Sequence, residues 1–107
     1  MTLAQPTHHD AIQAIVAALV EAEYLGGNRS HAVTLDTKSA QWKLYFKVNG
    51  CNVVVMVDDF DAAPGPHYFV AVSAPNGSFA SFSATPSMYG AVLYVGMAAQ
   101  FAEMYDA

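Results

Sequence analysis

Basic side chains are nearly missing from this chain: Arg29, Lys38, Lys43 and Lys47 stand against nine Asp and Glu, for a net charge of −5. Nucleic-acid backbones are bound through clustered Lys and Arg that replace counterions, so this balance argues against that class of partner, and no direct nucleic-acid binding is expected. Cysteine occurs once, as Cys51, which excludes an intramolecular disulfide framework. Charge of either sign is absent from Ala62 through Ala102, leaving that part of the chain without the usual means of keeping a surface solvated.

Catalytic and ligand motifs are missing too. "GAVLYVG" spaces its glycines wrongly for a phosphate cradle, and no Lys follows it. His8 and His9 are adjacent and point in different directions on a helix, so they do not form the i, i+4 pair of a zinc helix. His31 and His67 stand at strand starts, with nothing in the sequence to bring them together. Asp58, Asp59 and Asp61 crowd one segment but lack the alternating oxygen ligands and closing Glu of a calcium loop. Cys51 has no base beside it and is expected to be a buried thiol. The expectation is a protein that is not an enzyme, with no cofactor, no metal and no catalytic residue.

The opening "MTLAQPTHHDAIQAIVAALVEAEYLGG" has an apolar run but no basic segment before it, so it reads as a helix of the mature fold and not as a leader. The final apolar stretch is too short and too interrupted by Gly and Tyr for a membrane span. The cytoplasm of the host cell is the expected compartment.

What is present is apolar. Hydrophobic residues make up 54% and charged residues 12% of 107, which suits one folded domain, residues 1–107, with a single modest core. Ile12, Ile15, Val16, Leu19 and Ala22 recur at helical spacing, predicting a helix from about His8 to Leu25. Thr7 is its expected N-cap, and Gly26-Gly27 its expected stop. Four or five strands follow: "HAVTLD", the hairpin "QWKLYFKVNGCNVVVMVD", "HYFVAVSA" after a loop "DDFDAAPGP", and "SFASFSA" after the turn "PNG". Thr85 as N-cap and Pro86 at the first position predict a last helix reaching about Tyr105. The expected fold is α+β: helix, antiparallel meander of four to five strands, helix, as a two-layer sandwich.

The Asn49-Gly50 turn fixes the hairpin register and divides it into two faces. Trp42, Leu44, Phe46, Val53, Val55 and Val57 are expected to form the core side. The other side carries Lys43, Tyr45, Lys47, Val54 and Met56, with Asp58, Asp59 and Asp61 beyond it. Aromatic residues and Met ringed by polar groups are the composition of an interface, so these eight are the expected partner-binding residues. The last helix is apolar on most sides. Tyr94, Met97, Phe101 and Met104 form its second stripe and are the expected homodimer interface.

The functional expectation is a small acidic protein that acts by occluding a protein partner. Inhibitor and immunity-type proteins of microbial conflict systems, such as phage-encoded anti-defence proteins, are of this kind. A small dimeric secretion-chaperone-like protein is the alternative, and a small enzyme or ligand carrier a further one.

Overall fold

A computed structural model describes residues 6–25, 31–36, 41–60 and 63–105. Helix α1 (Pro6–Glu21) is followed by strands β1 (His31–Asp36), β2 (Gln41–Val48), β3 (Cys51–Phe60), β4 (Ala63–Ser73) and β5 (Phe79–Ser81), and by helix α2 (Met88–Met104). The strands form one antiparallel sheet in the order β1-β2-β3-β4-β5, so each strand pairs with its sequence neighbour. Both helices pack on one face of the sheet and touch each other. The fold is the α+β arrangement that the hydrophobic pattern predicts.

The β2–β3 hairpin shows why. Asn49 (φ 50°) and Gly50 (φ 79°) both lie in the left-handed region, as the two central residues of a type I′ turn do. That turn pairs Val48 with Cys51, Phe46 with Val53, Leu44 with Val55 and Trp42 with Val57, in the register read from the sequence. Leu44, Val53, Val55 and Val57 have no exposed surface and meet Ile12, Ile15 and Leu19 of α1 and Val95 of α2 in one core. Each such side chain contributes roughly 1.5–3 kcal/mol through burial. Beyond the tip, the Asn49 amide donates to the carbonyls of Ala102 (3.0 Å) and Tyr105 (3.2 Å). The hairpin end thus holds the C-terminus of α2, where backbone acceptors have no helical partner.

Three helix boundaries differ from the sequence reading, each for a local reason. Helix α1 begins at Pro6, so Thr7 is inside it and is not the N-cap. Proline's fixed φ and missing N–H suit a first helical turn. The helix also ends early, at Glu21. Glu23 adopts φ 68°, Tyr24 N–H donates to Leu19 O, and Glu23 N–H donates to Val20 O. That is a Schellman motif closed by a glutamate, with Gly26-Gly27 outside the described residues. Before α2, Thr85 is not the cap: it forms an isolated antiparallel bridge with Tyr68. Ser87 caps instead, its hydroxyl accepting from Gly90 N–H at 3.1 Å.

The expected loop "DDFDAAPGP" is mostly strand. β3 runs on to Phe60 and β4 starts at Ala63, with an irregularity at Asp59/Phe60 where Pro66 pairs opposite Asp59. A bulge is one of the few places where a sheet tolerates proline.

Candidate functional site

Strand alternation and the register assemble a second sheet face, opposite the helices. Its rows can be read across the strands. Lys43, Met56 and Phe69 form one, Ala32, Tyr45, Val54, Ala71 and Ser81 the next, and Lys47, Asn52, Ser73 and Phe79 a third. Val54, Met56, Phe69 and Ala71 are half-buried, while Tyr45 is exposed and Phe79 is 73% exposed. The residues from β2 and β3 are the mixed patch seen in the sequence. β4 and β5 extend it with Phe69, Ala71, Ser73 and Phe79, which the sequence reading left out. Carrying the alternation through "HYFVAVSA" and across the "PNG" turn would have found them.

The face is not flat. Tyr45 and Phe79 stand on strands three apart, a span of roughly 14 Å at ordinary strand spacing. Between them Val54, Ala71, Asn52 and Ser73 form a low floor, giving an open depression of about 400 Å³. The small residues Ala71 and Ser73 leave the depth, and the two rings make the walls. The surface around the floor is mostly apolar, with Lys43 and Lys47, half of the chain's basic residues, on the same face.

At the far end, Gln41 Nε2 donates to Asp58 Oδ2 at 2.6 Å. His67 pairs opposite Asp58 and is buried. The structure therefore brings Lys43, Tyr45, Lys47, Val54, Met56 and Asp58 to one face. The side chain of Asp59 and all of Asp61 lie outside the described residues.

The remaining candidates for chemistry are dispersed. His9 is exposed, with its ring 4.7 Å from that of Trp42, and His31 is exposed at the start of β1. Cys51 is buried on the core side. Among the described residues no three His, Cys, Asp or Glu are placed to hold a metal ion. Among the described residues, the buried Trp42 Nε1–H finds no acceptor. Tyr68 is buried on the core side of β4, and loss of solvation raises its phenol pKa above the ordinary value.

The four α2 residues read as a dimer seam fall in different places. Tyr94 is half-buried and stacks on Phe82, with ring centroids 5.1 Å apart. Phe101 is half-buried and lines a depression of about 390 Å³ with Ser78, Met104 and Tyr105. Met97 and Met104 are exposed, in company with Tyr89 and Leu93.

Fold and surface together define a class, a two-layer α+β domain whose sheet is covered on one side and presents an apolar depression on the other. Comparison with family models, with curated proteins and with solved structures gives no match. Among the described residues, no helix is long and apolar enough to cross a membrane.

Proposed function

We propose that this chain is a non-catalytic binding protein that works by covering part of a protein partner with the open face of its sheet. The observation that supports the reading is the depression between Tyr45 and Phe79. It offers an apolar floor, two aromatic walls and charged groups only at its margins, which is the anatomy of an interface with a central anchor pocket. A partner would insert an apolar side chain there. Lys43 and Lys47 favour a carboxylate beside that anchor, and Asp58 favours a basic group at the opposite margin.

In this reading the chain belongs with the inhibitor and immunity-type proteins of microbial conflict systems, for which a phage-encoded anti-defence protein is an example. It works in the cytoplasm of the host cell, as a homodimer. Occlusion needs no catalytic group, only a rigid face, and the core beneath β2 and β3 supplies the rigidity.

The test is affinity capture from lysate of the source cell, with wild-type protein and with Tyr45→Glu and Phe79→Glu compared by quantitative mass spectrometry. A partner that forms a stoichiometric complex with wild type through gel filtration, and is lost with both variants, supports the reading. A partner retained by both variants removes the sheet face from it. Both side chains are exposed, so the substitutions leave the core untouched.

A further inference from the structure

Helix α2 is assembled with its small residues inward and its large ones outward. The side turned to the core holds Ala91, Val95, Ala98, Ala99 and Ala102, all buried. The opposite side carries Tyr89, 78% exposed, Leu93, 59%, Met97, 51%, and Met104, 83%. At about 100° per residue these four and Gln100 fall within an arc of roughly 80°, directly opposite the buried set. An ordinary surface helix does the reverse, with apolar residues inward and charged ones outward.

We propose that this face docks on the same face of a second copy, with the two α2 helices antiparallel about a two-fold axis close to Gly96 and Met97. The proposal rests on the dimer part of the reading above and is independent of what the sheet face binds. Three observations select a second copy as the occupant.

The first is the spacing, which is close to symmetric about the middle of the helix. An antiparallel partner sets Tyr89 of one copy over Met104 of the other, Leu93 beside Gln100, and Met97 beside its own counterpart. This is the self-complementarity that a two-fold interface requires. The second is area. Four large apolar side chains on one arc, each more than half exposed, make a contiguous apolar patch on the order of a few hundred Å², the scale that marks an interaction surface.

The third is charge. Two chains of net charge −5 repel, a cost that is smallest where the facing surfaces carry no charge, and α2 has none before Glu103. In the antiparallel pairing Glu103 arrives beside the first turn of the opposite helix, where the free N–H groups favour an anion.

The experiment is oligomeric state by light scattering at about 50 µM, combined with site-specific cross-linking. Wild type should run at twice its 11.4 kDa chain mass. Met97→Asp and Leu93→Asp, which place a charge near the axis, should each weaken the dimer more than tenfold. With Cys51 buried, Met97→Cys supplies a single accessible thiol and should give a disulfide-linked dimer under mild oxidation, whereas Phe79→Cys should not. A monomeric wild type overturns the proposal and leaves the sheet-face reading standing. A dimer that survives both Asp variants, or that links through position 79 and not position 97, places the seam elsewhere and also overturns it. Should an Asp variant fail to fold by circular dichroism, the wild-type mass and the two Cys variants still decide.

Discussion

Replacing Asn49 tests whether the hairpin tip does two jobs. Its backbone sits at φ 50° in the turn, and its side chain donates to Ala102 O and Tyr105 O at the end of α2. Asn49→Gly keeps the left-handed turn and removes only the cap. Two hydrogen bonds at about 0.5–1.5 kcal/mol each are lost, offset by the few tenths that glycine gains at positive φ, for a net loss of about 1 kcal/mol. Asn49→Asp also loses both donors and sets a carboxylate against helix C-terminal carbonyls, adding about 0.3–1 kcal/mol of repulsion.

The two variants should therefore lower Tm by roughly 4–8 °C and by roughly 8–15 °C respectively. Thermal unfolding at a fixed protein concentration, followed through the only tryptophan, Trp42, measures both. The carboxylate adds a pH signature. A carboxyl group beside carbonyl oxygens has its folded pKa raised, so its penalty is present above that pKa and vanishes below the unfolded value of about 4. Asn49→Asp should converge on Asn49→Gly near pH 3. An Asn49→Gly protein as stable as wild type, or an Asp variant equal to the Gly variant at pH 7, would refute the capping role.

Three further outcomes follow from the same structure. Glu23 holds a left-handed conformation that costs a non-glycine residue about 1 kcal/mol, so Glu23→Gly should raise Tm by a few degrees while Glu23→Val lowers it. A Cβ at Gly96 would lie 2.6 Å from Tyr24 Oη. Gly96→Ala should consequently be at least about 1 kcal/mol more favourable in a Tyr24→Phe background than in wild type, as a double-mutant cycle by urea unfolding will show. Burial raises the Tyr68 phenol pKa, so its contribution is full below the unfolded pKa of about 10 and is lost as pH climbs through the higher folded value. Between pH 9 and 11 wild type should lose more stability than Tyr68→Phe, measured by thermal melts.

Most of the fold was legible because its signals are local. An Asn-Gly turn determines a register, and a register determines which of Leu44, Tyr45, Phe46 and Lys47 face the core. Helix ends were less legible, since Glu23 and Ser87 close their helices through hydrogen bonds that compete with equally plausible glycine and threonine signals nearby. The patch on β2 and β3 could be read for the same reason as the register. Its continuation to Phe79 needs the same alternation carried across a second turn, to a three-residue edge strand whose pairing with β4 is a weaker signal than the Asn-Gly hairpin. The orientation of α2 was hardest. Alanine and methionine both count as apolar in a periodicity, and only packing against the sheet decided that the alanines go in.

The chain between Ala62 and Ala102 has a cost that the finished fold conceals. During synthesis it emerges as β4, β5 and then α2, without one charged gatekeeper to interrupt it. "HYFVAVSA" combines strand propensity with neutrality, the composition of segments that stack into cross-β aggregates when left exposed. Helix α2, last to appear, packs against β2, β3 and β4 and lies over the apolar side of this strand. Until its final turn is made and meets Asn49, the nascent protein holds a sticky, uncharged surface open to its neighbours. Soluble yield in a cell should therefore depend on how fast α2 docks over β4, more than on the stability of the protein once folded.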